Sequence, residues 1–177
     1  MGSMSVMEGN EILLRPLVKP DLHDFANLVT DPLYGKYSPL GQLTNDIAKE
    51  IVDNILANYD ANGYEFWVAV DKKKDTIAGF VGYHPVIFEN KTHEMYFVGF
   101  YTRYWGSRFP EQATQFICDY AFNKGKISQL LAFVHPDDTA SLMCAQIIEA
   151  KFQKEAQFFG ASLFIFSIDK KDFKKIN

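Results

Sequence analysis

This chain is short of cysteine, of long apolar runs and of positive charge, and each shortage closes off a class of function. Only two of its 177 residues are cysteines. Cys118 and Cys144 both fall in segments expected to be helical, and neither has a histidine at a telling position. Packed, reduced thiols are therefore expected, rather than a disulfide framework or a nucleophile. No apolar run approaches the roughly 20 residues needed to cross a bilayer, and no charged-then-apolar leader opens the chain. The expectation is a cytoplasmic protein with no membrane partner. Lysine and arginine number 18 against 22 acidic residues, a net charge of −4, which argues against nucleic-acid binding by general electrostatics. His23, His84 and His135 have no second ligand at metal spacing, so no metal site is expected.

What is present describes one domain spanning residues 1–177. Its 47% hydrophobic and 23% charged residues are those of a globular chain with a sizeable core. The opening Met1-Gly2-Ser3-Met4 has the look of an expression scar and is left out of the fold reading. There is no internal repeat and no linker. Monomer or weak homodimer is the expected state.

Periodicity supplies the elements. Ile12–Leu17 reads as a short strand, and Pro20 opens a helix with Leu22, Phe25, Ala26 and Val29 on one face. Asp31–Gln42, with two prolines, two glycines and two tyrosines, reads as a loop. Thr44 or Asn45 caps a second helix with Ile47, Ile51, Ile55 and Tyr59 at four-residue spacing, closed by Asn62-Gly63. The period then shortens. YEFWVAV, TIAGFVGYHPVIF and HEMYFVGFY read as three strands, with Glu94, Tyr96, Val98 and Phe100 sharing a face of the last. Ala113, Phe116, Ile117, Tyr120 and Ala121 mark a helix for which Gly125 suits a left-handed C-terminal cap. A strand LLAFVH, a helix from Thr139 to about Ala150 and strands ending in LFIFSID complete the order βααβββαβαβ. That order predicts an α+β fold, a mixed, mostly antiparallel sheet flanked by helices.

Chemistry concentrates where the third of those strands gives way to the helix. Arg103, Gly106, Ser107 and Arg108 bring cationic side chains and main-chain amides to a helix N-terminus, where a phosphate would be held. An ordinary solvated turn is the plainer reading of this segment alone. Upstream, Glu94 is read two ways: as a partly desolvated base on a strand of Tyr, Phe and Val, or as a solvated residue opening the strand. His93 points to the opposite face.

Arg103-Tyr104-Trp105-Gly106-Ser107-Arg108 resembles the acyl-CoA pyrophosphate loop of the GNAT superfamily of N-acyltransferases, Gln/Arg-x-x-Gly-x-Gly/Ala, up to its last position. The Tyr-Trp-Gly run is similar to the RimJ/RimL branch, which acetylates protein N-terminal amines and, in similar proteins, small amines. The likeness runs in order from Ile12 to about Asp172, through ILLRPL, EFWVAVD, LLAFVHPDDTAS and AKFQKEA. It implies an N-acetyltransferase using acetyl-CoA as co-substrate on a protein N-terminus or a small primary amine. It also implies a base on the strand of Glu94, often acting through water. Backbone around Phe100, Tyr101 and Thr102 would pair with the pantetheine arm. Gly106 to Phe109, with Arg103 and Arg108, would receive the pyrophosphate. Asp138 and Ser141 stand where the branch has Asn-x-x-Ser, the first touching pantetheine and the second near the thioester. A helix cap is the plainer role for Asp138 or Thr139.

Departures gather at the same place. Arg108 replaces a glycine, at which positive φ would be costly. Pro110 removes an amide, Glu111 replaces a small hydroxyl residue, and Asp138 adds charge. Ala145 stands where many members keep a tyrosine as general acid, and Lys151 replaces a glycine. They motivate a competing reading, a non-catalytic GNAT-fold domain with a degenerate CoA site.

Overall fold

A computed structural model describes residues 6–59 and 65–175. Eight strands form one sheet: β1 (Met7–Glu8), β2 (Ile12–Pro16), β3 (Glu65–Asp71), β4 (Thr76–Phe88), β5 (Lys91–Phe100), β6 (Gln129–Val134), β7 (Lys151–Phe158) and β8 (Ala161–Asp169). Their order is β1-β2-β3-β4-β5-β6-β8-β7, and every pairing is antiparallel except β5 with β6. Five helices accompany them: α1 (Leu22–Val29), α2 (Pro32–Tyr37), α3 (Asn45–Asn58), α4 (Phe109–Asn123) and α5 (Thr139–Ile147). This is the expected mixed, mostly antiparallel sheet with flanking helices.

Turn chemistry sets the registers. β4 and β5 meet through Glu89 and Asn90, both at positive φ (50° and 61°), the twist a two-residue hairpin requires. Phe159 and Gly160 do the same between β7 and β8. The Lys72–Asp75 turn is tied by Asp71, whose Oδ1 accepts from the amides of Lys73 (3.1 Å) and Lys74 (3.2 Å).

Aromatic and branched side chains then fill both faces. Trp67, Tyr83, Phe100 and Leu130 meet Ile117, Ala121 and Phe122 of α4 on one side. Phe66, Val68 and Phe80 meet Phe25 and Leu28 of α1 and Val52 of α3 on the other. A third group, Phe88, Phe133, Phe158, Leu163 and Ile165, closes over the hairpin end.

Four local expectations change. Asp31–Gln42 contains α2: Pro32 takes the first turn, and Asp31 Oδ1 caps it by accepting from the amides of Leu33 (2.7 Å) and Tyr34 (3.2 Å). In α3, capped as expected by Thr44, the buried stripe is Ala48, Val52 and Ile55, and Ile47 faces outward. β1 adds a short strand at the edge. Gly125 is not the left-handed residue after α4; Lys126 is, at φ 56°. Gly125 is needed for space, because a Cβ there would lie 2.4 Å from Tyr83 Oη. The Asn62-Gly63 signal lies outside the described residues.

Candidate active site

Parallel strands β5 and β6 share one register pair, Met95 with Leu131, and separate beyond it. The split opens a cavity of about 330 Å³ that runs through the sheet, bounded on one side by α2 and on the other by α4 and α5. Tyr101 N–H is taken by the Ala78 carbonyl (3.0 Å) across β4. Strand alternation therefore turns the main-chain groups of Val98 and Phe100 the other way, toward the split. The Phe100 carbonyl accepts from the Trp105 indole (2.9 Å), and the Tyr101 and Thr102 carbonyls from Tyr104 and Trp105 amides. Of the three residues expected to offer backbone, Phe100 alone borders the cavity, and its carbonyl, like those of Tyr101 and Thr102, is engaged within the protein.

The turn into α4 forms the charged end. Gly106 adopts φ +76°, which only glycine takes without strain, and nothing lies within 4 Å of where a Cβ would stand. Arg108 sits at φ −80°, so the cost foreseen for a non-glycine there does not arise. Ser107 N–H is bonded to Tyr104 O (3.1 Å) and Phe109 N–H to Ser107 Oγ (3.3 Å). Among the described residues, the amides of Gly106, Arg108 and Glu111 have no protein acceptor. Gly106, Ser107, Arg108, Pro110 and Glu111 border the cavity. Arg103 and Phe109 do not: the Arg103 guanidinium bonds the Ile77 carbonyl (3.1 Å) and stacks on the Tyr101 and Tyr104 rings, while Phe109 packs on Tyr104. The loop thus presents one cation, three unclaimed amides and a helix dipole.

Opposite, Asp138 caps α5. Its Oδ1 accepts from Ser141 N–H (3.1 Å) and its Oδ2 from Ser141 Oγ (2.6 Å), and both residues line the cavity. Tyr96 lies at the vertex of the split, buried, its hydroxyl 2.5 Å from Thr114 Oγ1. Thr114 in turn donates to the Pro110 carbonyl (2.7 Å) and lies 3.5 Å from Cys144 Sγ. Burial raises the Tyr96 phenol and the Cys144 thiol well away from ionisation at neutral pH. Cys144 borders the cavity as a neutral thiol, in keeping with a packing role.

A family model described as "Acetyltransferase (GNAT) domain" matches residues 11–150. The chain belongs to the GNAT family of acetyltransferases. YkkB of Bacillus subtilis, an uncharacterised protein, is 29% identical over 97 residues, 55% of this chain and 56% of that protein. The chain thus spans little more than half the length of that curated relative. Among solved structures, a ribosomal-protein-S5-alanine acetyltransferase from Vibrio fischeri superimposes with a TM-score of 0.77 at 18% identity, covering 96% of this chain and 99% of that one. A spermidine N-acetyltransferase from Vibrio cholerae, solved with CoA and spermine, gives 0.77 at 15% identity over 92% and 98%. At such identities the likeness is one of fold.

In this GNAT chain the split strands, the Gly106 turn, Asp138 and Ser141 converge on one cavity, and Glu94 stands behind it. Glu94 pairs with Pro85 on β5, on the face of Tyr96 but outside the cavity wall, which begins at Met95. One carboxylate oxygen is buried with no hydrogen-bond partner, and burial raises its pKa. Glu94 thus has one oxygen shielded from solvent and stands off the cavity surface. Glu65, on the same face, is pushed by burial to about 7. Tyr34 and Tyr37 border the cavity, whereas Phe66, Trp67 and Tyr83 are core. Tyr96 was legible only as a strand residue, and Trp105 only as part of the loop. Among the described residues no cluster of His, Cys, Asp or Glu is arranged to hold a metal ion.

Proposed function

We propose that the chain is an acetyl-CoA-dependent N-acetyltransferase whose acceptor is a small primary amine or a protein N-terminal amine. The carrying observation is the parting of β5 and β6 above Met95 and Leu131 beside the left-handed Gly106 turn at the start of α4. An extended arm can run in the first while a diphosphate rests on the second. The donor set fits that group: three amides without protein acceptors, and an exposed Arg108 to offset Glu111. Val98, and Phe100 through its amide, supply main-chain groups along the arm. Asp138 and Ser141 border its inner end. Acetyl-CoA supplies an activated acyl thioester; the acceptor ammonium gives up one proton to become nucleophilic, its nitrogen loses a second as the new C–N bond forms and the C–S bond breaks, and the thiolate takes one proton up.

Glu94 is the assigned base. Burial raises its pKa, which favours proton uptake, and its place behind Tyr96 makes the transfer indirect, through water. Ala145 and the neutral, hydrogen-bonded Tyr96 leave the departing thiolate to take its proton from solvent or a bound water. Release of free CoA thiol from acetyl-CoA, followed with a panel of primary amines and N-terminal peptides, tests the proposal. Amine-dependent thiol release supports it, and none with any acceptor opposes it.

A further inference from the structure

The two ends of the cavity differ in chemistry. Arg108 and unclaimed amides mark the α4 end; the α2 end is aromatic and carries a single carboxylate. There the Tyr37 ring lies edge-on to Trp105 (5.9 Å) and to His135 (5.6 Å), joining the ends of the two diverging strands. The Trp105 indole is held by its bond to Phe100 O. Tyr34 is buried against bare backbone at Gly99, where a Cβ would come within 2.7 Å of its hydroxyl. The Asp138 amide donates to the His135 carbonyl (3.0 Å), and the His135 ring packs on Tyr37, so Asp138 borders the cavity at the same end. An ionised carboxylate only accepts hydrogen bonds, and Ser141 uses two of about four lone-pair sites. Asp138 itself lines the cavity.

We infer that this end receives a small primary amine with one ammonium on an aromatic or apolar body, Asp138 serving as counter-charge and Tyr34, Tyr37 and Trp105 as walls. A cation beside ring faces and a carboxylate is favoured by both. A polyamine is not. Among the lining residues the only other carboxylate is Glu111, in the first turn of α4 beside Arg108. Further ammonium groups would find no partner, and at the rim they would meet exposed Lys36, whose Nζ lies 5.0 Å from the Tyr37 ring centre. An N-terminal peptide brings one ammonium but also amide groups, which aromatic walls leave unsatisfied.

The inference rests on the transferase reading for its turnover but not for its binding, and the test separates them. Phenethylamine, spermidine and an alanine-initiated tetrapeptide are compared by calorimetric titration and by thiol release, with CoA affinity measured independently. Asp138→Asn is the informative variant, because asparagine caps a helix as well as aspartate and so keeps α5 while removing the charge. Expected are a kcat/KM for phenethylamine at least tenfold above the other two, and a KM raised at least tenfold by Asp138→Asn and by Tyr37→Ala, with the Kd for CoA changed less than twofold in Tyr37→Ala. A preference for spermidine or the peptide overturns the inference. So does an unchanged phenethylamine KM in Asp138→Asn, or a protein that binds CoA but not phenethylamine. Phenethylamine binding without CoA binding upholds the amine site and removes the transferase reading instead.

Discussion

Met95 on β5 and Leu131 on β6 are the one register pair that holds the two parts of the sheet together. To one side of this pair every neighbouring strand is antiparallel and in continuous or once-bulged register. Past it the cavity begins. Parallel neighbours reached through a crossover need not stay parallel for their whole length, and here α4 is the crossover whose first turn borders the gap. The site is thus built from backbone divergence, with side chains added at its rim.

Gly106 is the conformational requirement of that rim. Gly106→Ala places an L residue at φ +76° and should cost about 1–2 kcal/mol, although its methyl group meets nothing. Thermal or urea unfolding checks it. A stability equal to that of the parent would mean that the turn relaxes.

Gly125 is constrained by contact instead. Gly125→Ala drives a methyl group toward Tyr83 Oη at 2.4 Å and Ala121 O at 3.0 Å, an overpacking that should cost about 1–3 kcal/mol. Tyr83→Phe removes the nearer atom, so the double variant should recover part of the loss. Additive losses in a double-mutant cycle would show that the clash lies elsewhere.

The Tyr96–Thr114 pair is buried and hydrogen-bonded to one carbonyl, Pro110 O. Thr114→Val leaves the Tyr96 hydroxyl without its partner and should cost about 1–3 kcal/mol. Tyr96→Phe combined with Thr114→Val should cost less than the two single losses added together.

Glu65 sets a pH dependence of stability. Burial raises its folded pKa from 4.5 to about 7, so the folded state binds more protons than the unfolded one between those values. Stability contributed by the protonated form is complete below about pH 4.5 and is lost as pH rises through about 7. Glu65→Gln should flatten that slope and raise Tm at pH 8. An unchanged pH profile would contradict a desolvated Glu65.

Much of the sheet was legible because its strands are bounded by turn residues and carry alternating or continuously apolar faces, as in YEFWVAV and TIAGFVGYHPVIF. α2 was missed because six residues are too few for periodicity, although Asp31-Pro32 was a start signal. Gly106 and the Asp138–Ser141 cap were legible from residue type and spacing. The separate fates of Arg103 and Arg108 were not, since only the folded loop sends one onto Tyr101 and leaves the other at the cavity. Nor could spacing show Tyr37 reaching both Trp105 and His135, because the contacts join three segments far apart in the chain.

Glu94→Gln should slow acetyl transfer much more than it weakens CoA binding, because it removes a proton acceptor that borders no part of the cavity. Single-turnover rates beside CoA titrations separate the two. Equal turnover in the variant would end the assignment of Glu94 as base.

Titration of the intact protein with CoA tests the central claim most directly, because every part of the transferase reading depends on the diphosphate resting at Gly106–Arg108. Saturable one-to-one binding is predicted, weakened by about 1–3 kcal/mol in Arg108→Ala through loss of a charge-assisted hydrogen bond. Absence of binding by the unaltered chain would contradict the account, and tighter binding by Arg108→Ala would contradict the part given to that arginine.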